Sequence, residues 1–138
     1  VKFVQDNVSF SKKNVLRGLH YQLNNAQAKL VQVIKGKIFD VVVDLRRDSK
    51  TFGKHYSVIL SSENKKQLFI PKNFAHGFLA IEEYNYVSYK TSDYYDSDSE
   101  RTLIWNDTDI NIDWNLTEEP ILSKKDIEGR SFKNIEIP

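Results

Sequence analysis

The chain has 138 residues, 40% of them apolar and 28% charged, which suits one domain with a core of its own and is too short for two. Lys and Arg (20) nearly cancel Asp and Glu (19), leaving a formal charge of +1, so no overall field favours nucleic acid or an anionic membrane as partner. The absence of cysteine excludes disulfides, zinc–thiolate sites and thiol nucleophiles, and no apolar run approaches the ~18–20 residues of a transmembrane helix.

In chain order, the N-terminal stretch VKFVQDN has neither an initiator Met nor a secretory signal pattern and opens directly in strand-like sequence. A preceding segment is therefore expected. The cytoplasm is the expected compartment, since a cysteine-free chain fits a reducing environment. Val15 to Gln22 (V-L-R-G-L-H-Y-Q) is mainly apolar, with Arg17 and His20 flanking a Gly. Leu30 to Ile34 reads as a strand that reaches Lys37 through a tight turn at Gly36, a residue free to take positive φ. From Lys37 to Leu45 the period is two, with Phe39, Val41, Val43 and Leu45 on one face and Asp40 and Asp44 on the other.

Further short strands are expected at His55–Leu60, Gln67–Ile70, Phe78–Ile81 and Tyr86–Thr91, with turn clusters at 48–50, 61–64 and 71–73 between them. One helical turn is expected at Ser62–Lys66 and a short capped helix at Ser123–Asp126. Many short strands at this spacing predict a single all-β domain over 1–138, a sandwich or barrel.

Three histidines occur, His20, His55 and His76. His55 reads as a surface strand residue. His20 and His76 lie in apolar stretches, where an imidazole that titrates near neutrality serves as a general base. A core histidine bonded to a carbonyl is the alternative reading. Taken singly, Lys29 reads as a surface charge, Tyr89 and Tyr95 as packing or rim aromatics, and Asp126 as a cap. No metal site is expected: three or four convergent ligands are needed, and an H-x-H spacing is absent because position 22 is Gln. Phosphate-loop, dinucleotide and nucleophile-elbow signatures are also absent.

Taken together, many segments resemble one family. They include Val4-Gln5-Asp6-Asn7, Leu16-Arg17-Gly18-Leu19-His20-Tyr21, Phe74-Ala75-His76-Gly77-Phe78, Tyr89-Lys90-Thr91, Asp93-Tyr94-Tyr95, Trp105-Asn106-Asp107, and Leu122-Ser123 with Lys125-Asp126. In order and spacing the chain resembles the dTDP-4-dehydrorhamnose 3,5-epimerases, a family of cupins. The resemblance implies a cupin-type jelly roll with one or two short C-terminal helical turns, working as a homodimer without metal or organic cofactor. It implies a dTDP-sugar substrate, dTDP-4-dehydro-6-deoxy-glucose, inverted at C3 and C5.

By motif position the resemblance makes His20 the base, Asp126 its orienting carboxylate, Tyr89 the proton donor and Lys29 the lysine beside the sugar ketone. Arg17, Gln5, Asn7, His76 and Tyr95 fall on substrate-contacting positions. The chain departs from the family pattern in lacking a counterpart to the family's N-terminal strands, at Phe69, at Lys72-Asn73, and between Ser97 and Thr102. An epimerase acting at one carbon only, a non-catalytic sugar-nucleotide-binding cupin and a metal-dependent oxygenase are the competing readings.

Overall fold

The computed structural model describes residues 1–138. Its strands are β1 (Gln5–Lys12), β2 (Leu16–Gln22), β3 (Lys29–Lys35), β4 (Lys37–Asp44), β5 (His55–Ser61), β6 (Gln67–Ile70), β7 (Phe74–Ala80), β8 (Tyr84–Thr91) and β9 (Glu100–Thr102). A one-turn helix, α1 (Lys124–Ile127), and a 3-10 turn at Phe132–Asn134 follow. The strands form a four-stranded sheet in the order β1-β8-β3-β6 and a five-stranded sheet in the order β5-β4-β7-β2-β9. All strand pairs are antiparallel. This is the expected cupin jelly roll with its short C-terminal helical turns.

The five-stranded sheet is covered on both sides. Between the sheets, Val31, Val33 and Val87 of one meet Ile38, Val42, Leu60 and Phe78 of the other. On its far face, Leu16, Val41, Val43, Leu45 and Leu79 pack against Leu103, Ile110 and Trp114 of the C-terminal segment. The alternation read in Lys37–Leu45 is therefore present but has a different meaning. Asp40 and Asp44 lie opposite the valines, yet they are also fully buried, because β4 is a central strand between two layers. Asp44 is stabilised there by Arg46, Ser49 and Thr51, which hold its carboxyl far below the usual range against the opposing effect of burial.

Two local expectations need refining. Ser62–Lys66 makes a single i→i+4 turn, Lys65 N–H donating to the Ser61 carbonyl at 3.1 Å, and does not continue as a helix. Asn64 Oδ1 accepts from the backbone N–H of Ser61 at 3.1 Å and of Lys66 at 3.0 Å, and Lys65 takes a φ of 55°. An Asn side chain competing for backbone groups favours a turn over a helix. The strand expected at Phe78–Ile81 begins at Phe74, which places His76 within it. Gly36 does take positive φ, at 98°, but it joins strands of different sheets and so forms a corner, not a hairpin.

Candidate active site

Between the sheets, beside the apolar cluster, lies a cavity of about 370 Å³. Every residue expected at a site lines it except Asp126, which sits directly behind His20. His55 stays on the surface.

Strand β1 supplies one wall by simple alternation: Gln5, Asn7 and Ser9 point inward, while Asp6, Val8 and Phe10 are exposed. Gln5 Nε2 donates to Asn7 Oδ1 at 2.8 Å. Asn7 Nδ2 and Ser9 Oγ are buried without any partner in the protein. Such groups are costly unless a ligand satisfies them. Strand β3 contributes Lys29 and β8 contributes Tyr89, again by alternation, and the lysine ammonium lies 5.9 Å from the centre of the tyrosine ring.

Strand β2 follows a different rule. Arg17 and His20 are three positions apart, so a regular strand would send them to opposite faces. Its pairing with β7 shifts register between these residues, and both side chains reach the same cavity. Gly18 permits this. Its φ is 114°, and a Cβ there would stand 2.7 Å from Gly77 Cα and from the His76 carbonyl oxygen. Arg17 is held by Ser11 Oγ at 2.9 Å and the Phe10 carbonyl at 3.0 Å, leaving the rest of its guanidinium fork to the cavity.

Two His–carboxylate pairs result. His20 Nε2 and Asp126 Oδ1 are 2.6 Å apart, and Gly18 N–H donates to the other oxygen of Asp126 at 3.2 Å. Burial opposes the charge on Asp126, but His20, Gly18 and Ser123 outweigh it and hold the carboxyl below its usual range. An ionised carboxylate only accepts hydrogen bonds, so Nε2 of His20 donates and its other ring nitrogen carries the basic lone pair. Ser123 caps α1 by accepting from Asp126 N–H, and this fixes the aspartate in place. The second pair is His76 Nε2 and Asp40 Oδ1, also 2.6 Å apart. His20 and His76 are direct cross-strand neighbours.

The surroundings bias the protons of two further groups. Burial pushes the Lys29 ammonium down from its usual value, with Glu100 and Asp40 restoring part of the loss. Burial and then Glu100 push the Tyr89 phenol up, against Arg17 and Lys125. No group of three or more His, Asp or Glu is placed to hold a metal ion.

Sequence reasoning missed Ser9, Gln27, Glu100, Lys125 and Asp40. The period-two series Gln5, Asn7, Ser9 was a usable signal for the first. No local pattern ties Asp40 to His76, because only sheet pairing brings them together.

The family model for dTDP-4-dehydrorhamnose 3,5-epimerase matches residues 1–134. The Pseudomonas aeruginosa dTDP-4-dehydrorhamnose 3,5-epimerase is 52% identical over 132 residues, covering 96% of this chain and 73% of the relative. Among solved structures, a Legionella pneumophila 3,5-epimerase in complex with dTDP-4-keto-L-rhamnose superposes with a TM-score of 0.96 at 49% identity, covering 98% of this chain and 72% of the other. A 3'-monoepimerase from Streptomyces bikiniensis in complex with dTDP-quinovose gives 0.88 at 31% identity, covering 94% and 66%. With the family model matched over residues 1–134, about half of its residues shared with the first of these relatives and a jelly roll that superposes on theirs, the chain belongs to the dTDP-4-dehydrorhamnose 3,5-epimerase family.

Proposed function

We propose that the chain converts dTDP-4-dehydro-6-deoxy-D-glucose to dTDP-4-dehydro-L-rhamnose by proton transfer at C3 and C5, without metal or organic cofactor. Both carbons flank the C4 ketone, so removing hydrogen from either yields an enolate. The observation that carries this reading is the convergence of the oriented His20–Asp126 pair, Lys29 and Tyr89 on one cavity.

His20 takes the proton from carbon, and Asp126 fixes its tautomer and stabilises the imidazolium, as carboxylates do in other His–Asp pairs. Lys29 faces the negative charge that develops on the ketone oxygen, with His76 beside it. One such preorganised donor is worth about 3–4 kcal/mol. Inversion requires reprotonation from the face opposite the base. Tyr89 does this, and its raised phenol value keeps the proton in place until the enolate forms. Arg17 receives the diphosphate, for which its planar fork is suited. Gln5, Asn7 and Tyr95 contact the bound substrate.

Incubation with the substrate in D₂O, followed by proton NMR, tests this reading. Deuterium at both C3 and C5 is expected. One deuterium identifies a single-carbon epimerase, and none identifies a binding protein without catalysis. Tyr89→Phe is expected to exchange hydrogen while failing to complete inversion. The 49% identity to the 3,5-epimerase against 31% to the monoepimerase supports two inversions over one.

The working form proposed is a cytoplasmic homodimer. Val8, Phe10, Tyr84, Tyr86 and Ile34 stand exposed on the outer face of the four-stranded sheet, an apolar surface that a second copy would cover. Sedimentation of wild type against Phe10→Ser tests it: a dimer that the substitution leaves intact excludes this face.

A further inference from the structure

Asp107 belongs to a motif, Trp105-Asn106-Asp107, that the reaction proposed above does not use. Its side chain is buried outside the cavity, and its hydrogen bonds all come from backbone N–H groups. One oxygen accepts from Asp109 and Ile110 N–H, both at 2.9 Å, and closes the turn that follows β9. The turn needs only that oxygen, and an asparagine would serve it equally well. The second oxygen reaches 25 positions along the chain, where it accepts from Phe132 N–H at 2.7 Å. Phe132 opens the 3-10 turn, whose own N-cap residue, Ser131, makes no side-chain capping bond. Asp107 therefore supplies that cap from a distant segment.

The contact holds the segment that carries Asp126. Helix α1 has four residues, and isolated helices shorter than about 12–15 residues are marginal in water, so its place is set by its flanks. The upstream flank is joined to β2: Leu16 N–H donates to the Ile121 carbonyl and Ile121 N–H to the Asn14 carbonyl, both at 2.9 Å. The downstream flank is joined to the end of β9. Arg130 N–H donates to the Thr102 carbonyl at 3.0 Å, Ile104 N–H to the Arg130 carbonyl at 2.8 Å, and Phe132 N–H to Asp107. Beyond it, Glu136 is held by Tyr21 and Arg101. Thr102 is the cross-strand partner of His20, so the two flanks anchor on the strand of His20 and on the strand beside it. Asp126 lies between these anchors and meets His20 Nε2 at 2.6 Å.

We propose that Asp107 is a positioning residue for the reaction: its grip on Phe132 N–H fixes the downstream flank of α1 and so holds the Asp126 carboxylate against His20. This rests on the epimerase reading above. Asp107 does not line the cavity and acts only through Asp126. A shift of α1 by about 1 Å takes the His20–Asp126 contact out of hydrogen-bond range and frees the imidazole from its single tautomer. Asp107→Asn isolates the grip. It keeps one oxygen for the turn and sets an amide N–H against Phe132 N–H, two donors with nothing between them to accept.

The test places Asp107→Asn in the wild-type and in the Asp126→Asn backgrounds. It reads kcat and KM with dTDP-4-dehydro-6-deoxy-glucose, and the ring nitrogens of His20 by ¹⁵N NMR. In the wild-type background kcat is expected to fall roughly 10–100-fold with KM unchanged. In the Asp126→Asn background the same substitution is expected to cost little more, because the contact through which it acts is already gone. His20, protonated at Nε2 in the wild type, is expected to become a mixture of tautomers in Asp107→Asn. General damage to the fold lowers activity alike in both backgrounds. An equal loss in both, or a His20 that keeps its single tautomer, overturns the proposal. If Asp107→Asn does not fold, Asp107→Ser decides by the same criteria, since its hydroxyl caps the turn and is too short to reach Phe132. If neither folds, Asp107 serves folding as a whole and the proposal is overturned. Wild type without deuterium wash-in sinks the epimerase reading, and the ring-nitrogen signals then decide whether Asp107 holds Asp126. An active wild type whose His20 signals do not change in Asp107→Asn sinks the inference alone.

Discussion

The two His–carboxylate pairs have the same bond length, 2.6 Å, and occupy opposite environments. The side chain of His20 is 23% exposed and that of Asp126 is 3% exposed, whereas His76 is 9% and Asp40 is 0% exposed. His20 leans on a partner from α1, outside the sheets. His76 leans on a partner from β4, in the middle of one. Asp126 has both oxygens bonded, one by His20 and one by Gly18 N–H. Asp40 has one oxygen with no partner at all. The comparison teaches that one pair opens onto the cavity with its carboxylate satisfied on both oxygens, as the proposed base requires, while the other is sealed in the sheet with one carboxylate oxygen unsatisfied. Identical side chains stand in different surroundings because the layers around them differ.

Removing the proposed base should break the comparison most. His20→Asn is expected to lower kcat by about 10²–10⁴-fold and to abolish deuterium wash-in, measured by NMR in D₂O. The corresponding cost on the buried side should fall on stability. Asp40→Asn removes the carboxylate acceptor of a buried hydrogen bond and is expected to cost about 1–3 kcal/mol in urea unfolding. Asp126→Asn leaves a neutral amide behind His20 and no longer dictates its tautomer. Turnover should fall by about 10²-fold or more, as in other His–Asp pairs that lose the carboxylate, with wash-in slowed but present.

The smallest effect is on acid stability. The folded value of Asp126 lies below the ~3.9 of an unfolded aspartate, so the stabilisation from its ionised form is complete above about pH 4. It is lost as pH falls through the folded value. Melting temperature from about pH 5 to pH 2 should therefore fall less steeply in Asp126→Asn than in wild type, and parallel curves would contradict the pairing.

The sequence carried the architecture well where period two decides it. Lys37–Leu45 could be read as a strand with its faces correctly divided, because alternation is a local property of the chain. Its burial on both faces could not be read, because that depends on the C-terminal segment folding back over the valines. Ser62–Lys66 stops at a single turn for a local reason, the side chain of Asn64. At the site, His20, Lys29, Tyr89 and Asp126 stood out through motif order, and no single residue identified itself.

The amino-acid order by itself therefore determined most of the strands, the alternation within Lys37–Leu45, Gly18 between Arg17 and His20, and a cysteine-free chain of almost balanced charge. The tertiary structure decided which aspartate meets which histidine, the irregularity that brings Arg17 and His20 to one cavity, and the place of Glu100 at its mouth. The reason is range. Alternation and turn chemistry act over a few residues, whereas these carboxylates reach their partners only after two sheets and a C-terminal helix turn have packed together.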